Sequence, residues 1–207
     1  LKDYRRKKIG LHKLHLPTDI PRDLDKFYSK FEPLINPDTK KTVTRLADHQ
    51  REVWNDQFKY LLRAYPKSQK IYLSTTFLLE DIYHALTDAI GMEIIIVEQS
   101  ELHAQIHLQD FKKLILTSEY KDYLITRPIP QIGLERNEIT KATIAYMHNP
   151  NNPFWPTKIY AFGPTAGSLI PRNGASSTKL PLEFASLDRM DATVSFCFSG
   201  VSLLRVM

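Results

Sequence analysis

The sequence predicts an α+β fold: a helical N-terminal third of two helices packed on a mostly antiparallel β body with one further helix. Three observations predict it. Apolar residues recur at three- and four-residue steps between residues 24 and 65. Short runs rich in β-branched residues dominate after residue 92, and the segments between them hold most of the prolines. Helix pattern upstream and strand pattern downstream argue against a doubly wound nucleotide-binding sheet, in which the two alternate.

Each element follows from its own pattern. Thr18 and Asp19 before Pro21 read as a helix start, with Leu24, Phe27, Tyr28 and Phe31 at helical spacing behind them. Pro33 and Pro37 then break the chain. Val43, Leu46, Ala47, Val53, Trp54, Phe58, Leu61, Leu62 and Tyr65 form an apolar stripe, which predicts a second helix closed by Pro66. Arg45, Asp48, Arg51, Glu52, Asn55 and Lys59 occupy its other sides.

KIYLS (70–74) reads as a strand. TTFLLEDIYHALTDAIG (75–91) reads as an amphipathic helix through Phe77, Leu78, Ile82, Ala85, Leu86 and Ile90, stopped by Gly91. MEIIIVEQ (92–99) is strand-like. In LHAQIHLQD (102–110), Leu102, Ala104, Ile106 and Leu108 alternate with His103, Gln105, His107 and Gln109, which predicts a strand with one polar face. KKLILTS (112–118), DYLITR (122–127), TKATIAYM (140–147), TKIYAF (157–162) and ATVSFCFSGVSLL (192–204) are read as further strands.

The domain reading is a basic arm over residues 1–17 and one α+β domain over 18–207, helical from 18 to 66 and β-rich from 70 to 207. With 207 residues, 43% of them hydrophobic and 11% aromatic, the chain can bury a sizeable core. Charge is divided unevenly. Six of the 28 Lys+Arg (Lys2, Arg5, Arg6, Lys7, Lys8 and Lys13) and one of the 23 acids (Asp3) fall within the first fifteen residues. That leaves 22 of each sign for the remainder, so the formal +5 of the chain resides in the arm. A cationic arm on a neutral body is suited to phosphates or anionic headgroups, with binding that weakens as salt rises. Tyr4 adds a ring able to stack on an unpaired base.

Other candidates are local. On a strand, His103 and His107 would stand ~13 Å apart, too far to share one metal with bonds near 2 Å. Asp110 followed by Glu119 and Lys121 matches a short pattern of metal-dependent nucleases. In such sites two carboxylates on adjoining strands hold Mg²⁺ and a lysine steadies the attacking water or the developing charge. In this chain Gln109 stands where that pattern has proline. His84 or His103 would assist in this reading. A tyrosine nucleophile served by two histidines on a strand needs them two apart, so Tyr120 and Tyr123 gain no such partners from His103 and His107.

Cys197, the single cysteine, excludes an intramolecular disulfide and is compatible with a reducing compartment; between Phe196 and Phe198 it reads as an inert thiol. GPTAGSLIPRNGASSTK (163–179) lacks the Gly-Lys-Ser/Thr ending of a phosphate-binding loop. HNPNNPFWPTK (148–158) is stiffened by three prolines and offers Phe154 and Trp155 as a candidate partner contact, against the favoured expectation that both rings fold back into the body's own core. No run of roughly 20 apolar residues spans a membrane and no signal-peptide pattern opens the chain.

The leading expectation is therefore a non-enzymatic structural or assembly protein. It would be a virion-type matrix, capsid or tail subunit, or a ribonucleoprotein subunit, whose arm binds nucleic acid or an anionic membrane surface and whose body meets protein partners or itself. No cofactor or metal is expected. The alternative is a nuclease using Asp110, Glu119 and Lys121 with Mg²⁺, and a third reading is an interaction module whose arm is incidental.

Overall fold

Consecutive β-branched residues make the centre of the sheet. The computed structural model describes residues 2–36, 39–59, 62–66, 73–87, 93–98, 100–163, 192–198 and 202–206. Six strands form one mixed sheet: β1 Leu62–Pro66, β2 Glu93–Val97, β3 Ile144–Met147, β4 Thr157–Phe162, β5 Ala192–Phe198 and β6 Ser202–Val206, in the order β1-β5-β6-β2-β4-β3. Strand β2 lies between β4 and β6 and runs parallel to both. The β3–β4, β5–β6 and β1–β5 pairs are antiparallel. The fold is α+β. Antiparallel pairs outnumber parallel ones, but the parallel pairs occupy the middle.

Register fixes which residues reach the core. Ile94 pairs with Ile159, Ile96 with Ala161, and Ala145 with Ile159, and all five are buried. They join Ala104, Leu108, Phe111 and Ile115 of helix α5 (Glu101–Leu116) in the main core. In β2, Ile94 and Ile96 are buried while their neighbours are only partly so, the period-two signature of a strand. Tyr146 joins a second cluster with Ile125 and Leu134, and Tyr160 stacks on Phe162 at 5.8 Å. The β2–β4 register also sets Glu93 3.5 Å from Lys158.

The remaining helices are α1 Lys2–Lys8, α2 Leu24–Tyr28, α3 Asp48–Asp56, α4 Leu73–Thr87 and α6 Arg136–Ile139. Helix α2 buries Leu24, Phe27 and Tyr28, with Phe31 just beyond it, as their spacing predicts. Its start is not Thr18 or Asp19. Asp23 is the cap, its Oδ1 accepting the Lys26 amide at 2.9 Å. The predicted helix over 43–65 shrinks to α3. The Gln50 side chain reaches back to accept the Ala47 amide at 3.0 Å, fixing the start there. The helix ends at Asp56, and residues 62–66 form strand β1 instead of a last helical turn. Leu46 is buried from just before the cap, outside the helix.

Helix α4 buries Phe77, Ile82, Ala85 and Leu86 of its predicted face, with Leu78 partly buried and Ile90 outside the described residues. It also buries Thr76, Leu79, Glu80 and Asp81, so it is enclosed on more sides than an amphipathic stripe implies. The KIYLS strand does not form in its described part, because Leu73 and Ser74 already open α4; residues 70–72, like Gly91, lie outside the described residues. The largest correction is α5. Residues 102–110 and 112–118, read as two strands, belong mainly to this one helix, and DYLITR is a 3-10 turn followed by extended backbone. Strands β3 and β4 lie within TKATIAYM and TKIYAF, and β5 and β6 within ATVSFCFSGVSLL and just past it. Among the described residues no helix is long and apolar enough to cross a membrane.

Where β4 ends, its backbone presses on the start of α5. A Cβ at Gly163 would lie 2.2 Å from the Glu101 amide nitrogen and 2.6 Å from the Ser100 carbonyl carbon. Gly163→Ala should therefore force the helix start away from the sheet and cost about 1–3 kcal/mol, read as a shift in denaturation midpoint. Gly10 also needs glycine, but for its left-handed φ of 76° rather than for space.

Candidate functional site

The six cations of the arm are held on a short, anchored element. Lys2, Arg5, Arg6, Lys7 and Lys8 all fall in α1, whose last turn is wholly basic, an arrangement the helix dipole favours at that end. Gly10 turns the chain out of the helix, its amide donating to the Lys7 carbonyl at 3.1 Å. A 3-10 turn, Leu11–Lys13, follows and buries Leu11 to 3% exposure. Leu16 and Ile20 pack against the main core.

Polar contacts complete the attachment. Arg6 Nη2 donates to the Pro150 carbonyl at 2.7 Å, the His15 amide donates to Asp122 Oδ2 at 2.9 Å, and the Tyr123 hydroxyl donates to the Pro17 carbonyl at 2.6 Å. The arm is thus laid along the body. Arg6 is part of its fastening, whereas Arg5, Lys7, Lys8 and Lys13 are exposed. Tyr4, 69% exposed, shares a helix face with Lys7 and Lys8 at three- and four-residue spacing.

The Arg6 contact lands on the proline-rich loop. Asn149 is buried and shapes the loop's first turn, its Oδ1 accepting the amides of Asn151 at 2.9 Å and Asn152 at 3.1 Å. The Trp155 amide donates to the Asn152 carbonyl at 2.9 Å and closes the next turn. The two aromatics take different positions: Phe154 is half-buried and Trp155 is 58% exposed. By contrast, Trp54 is 1% exposed. Basic helix and proline-rich loop are thus joined at one point, the Arg6–Pro150 hydrogen bond, and Trp155 is exposed five residues further along that loop.

At the start of this loop His148 is buried, with its amide donating to the Tyr123 carbonyl at 2.7 Å. Desolvation pushes its imidazole pKa down to about 4, against the opposing pull of the Asp122 carboxylate. The fold keeps this ring neutral. Above pH 6.5, its ordinary value, it has no effect on stability. As pH falls from 6.5 towards about 4, the unfolded chain takes up a proton that the folded chain refuses, and stability drops. The wild-type protein should lose roughly 2 kcal/mol between pH 7 and pH 5 from this group. His148→Gln should remove that part of the acid limb in denaturation curves; an unchanged limb would show another group responsible.

The nuclease pattern requires adjoining strands, and these residues are not on strands. Asp110 is exposed on α5, and Glu119 and Lys121 lie in the turn after it. Glu119 is tied to Lys30, its Oε2 3.1 Å from the lysine Nζ and its amide donating to the Lys30 carbonyl at 2.9 Å. On a helix, His103 and His107 share a side, so the ~13 Å strand spacing does not apply. They do not act alike, because His103 is exposed while His107 is buried with Nδ1 2.9 Å from Glu98 Oε1. Among the described residues no group of three or more His, Cys, Asp or Glu is placed to hold a metal ion. Cys197 pairs with Leu203 across β5 and β6, and residues 164–179 of the glycine-containing loop lie outside the described residues.

Sequence reasoning placed His107 on the polar face of a strand and passed over its half-buried partner Glu98 and the buried His148, Asn149 and Thr157. The visible signal for His107 was Glu98 nine positions earlier, just past a β-branched strand and before the Ser100 cap. For His148 and Asn149 it was their place between a strand and the prolines. Comparison with family models, curated proteins and solved structures returns no match.

Proposed function

We propose that this chain is a structural nucleic-acid-binding subunit whose α1 helix and following turn present a fixed cationic surface to phosphates. The observation that carries the reading is the docking of the arm. Arg6, Leu11 and Pro17 are engaged with the body, while Arg5, Lys7, Lys8 and Lys13 remain exposed. Cations held on an ordered element lose less conformational freedom on binding than the same cations on a free tail. Their charge is not offset by the remainder of the chain, which carries equal numbers of each sign. Nucleic acid is favoured over an anionic bilayer because α1 offers cations and Tyr4 but no wide apolar face to bury among lipid tails.

The direct test is a titration of the purified chain with single-stranded RNA, single-stranded DNA, duplex DNA and anionic vesicles at two salt concentrations. Binding to nucleic acid that weakens with salt supports the reading. Binding to vesicles alone, or to neither, overturns it. Light scattering on the same samples reports whether the chain self-associates when bound, as an assembly subunit should.

A further inference from the structure

Resting on the nucleic-acid reading, we infer that the ligand is single-stranded and that Trp155 is its base-stacking platform, set beside the phosphate-binding cations of α1. The loop meets the helix at Pro150, whose carbonyl accepts a hydrogen bond from Arg6 Nη2 at 2.7 Å. From Pro150 to Trp155 the chain spans five residues, at most about 17 Å even if fully extended. The turns closed by Asn149 and Asn152 shorten that reach. A strand of about four or more nucleotides covers such a span, within the site sizes of single-strand binders.

The ring itself is arranged for contact. Trp155 is 58% exposed and follows a half-buried Phe154, the two standing between Pro153 and Pro156 in the chain. An indole held out on a proline-stiffened loop loses little entropy on stacking. Duplexes present paired bases whose faces are already stacked on one another, whereas an unpaired base has a free face for the ring. Tyr4, exposed between the cations of α1, offers a second ring on the helix side.

The experiment compares wild-type, Trp155→Ala and Trp155→Phe chains binding a 20-nucleotide oligo(dT), oligo(U), and a duplex of equal phosphate count, with indole fluorescence as a second readout. Trp54 is buried, so quenching of solvent-exposed emission reports Trp155. Expected results are quenching by the single strands, a loss of roughly 10- to 100-fold in single-strand affinity for Trp155→Ala, partial retention for Trp155→Phe and unchanged duplex affinity. Equal binding of single strand and duplex, with Trp155→Ala altering neither, would overturn this inference while leaving the nucleic-acid reading standing. Failure of the wild type to bind any oligonucleotide would overturn both. A blue shift of the indole on anionic vesicles without quenching by oligonucleotides would assign the surface to membranes instead.

Discussion

Trp54→Ala should destabilise the fold by about 3–5 kcal/mol, the upper end of what a single core substitution costs. The indole is the hinge of an aromatic chain. It stacks on Phe27 at 5.4 Å, meets Tyr83 edge-on at 5.2 Å and contacts Phe58 at 6.1 Å. Phe27 continues the chain to Phe31 and Tyr120. Trp54 belongs to α3, Phe27 to α2 and Tyr83 to α4, so one side chain joins three helices. Its Nε1 donates to the Arg22 carbonyl at 2.8 Å, fixing the segment that leads into α2. Truncation would leave a cavity too large to close without moving a helix and would strip that carbonyl of its partner. Trp54→Phe keeps most of the ring contact and loses the N–H, so about 1–2 kcal/mol is expected. Denaturant unfolding of the three chains measures both differences; a loss below about 1 kcal/mol for Trp54→Ala would place the indole outside the cooperative core.

How much of this was legible in the sequence depends on how many periods each element repeats. Helix α4 runs fifteen residues, and its buried positions recur through several turns, so its pattern admits one reading. Strand β2 has three consecutive isoleucines and a valine, which also admits one. Helix α5 shows how a window misleads. Between residues 102 and 109 polar and apolar residues alternate, but the buried set is Ala104, His107, Leu108, Phe111, Leu114 and Ile115, a helical series extending well past that window. The alternation looked like a strand because Leu102 and Ile106 are apolar yet exposed, and His107 is polar yet buried. A histidine enters a core when a partner meets it there, and Glu98 comes from outside the helix. Such an exchange of roles depends on tertiary contact and leaves no periodic trace.

The candidate site divides in the same way. The cations were visible as composition and Trp155 as an unusual loop. That the helix bearing the one meets the loop bearing the other depends on one hydrogen bond across 144 positions, from Arg6 to Pro150. The same bond changes which experiment is informative. Deleting residues 1–15 would remove charge, but it would also uncover the core at Leu11 and break the Arg6 and His15 contacts. Lost binding after that deletion would not separate electrostatics from unfolding.

Neutralising only the exposed cations does separate them. In the chain carrying Arg5→Gln, Lys7→Gln, Lys8→Gln and Lys13→Gln, the formal charge falls by four, from +5 to +1. Glutamine matches lysine and arginine in helix propensity, and Arg6, Leu11 and Pro17 keep their contacts, so thermal stability should hold. If each cation meets one phosphate, the slope of log K against log salt for a single strand should flatten by about 3. Those four contacts account for a loss of about 50-fold in wild-type affinity between 50 and 200 mM salt, which the variant should not show. The control replaces Lys26, Arg45, Lys113 and Arg127, also exposed, by glutamine for the same change in net charge. If binding followed net charge alone, both quadruple variants would weaken equally. A surface localised on α1 requires the first to lose the salt dependence and the second to keep most of it, and equal losses would remove the physical basis of the proposed function.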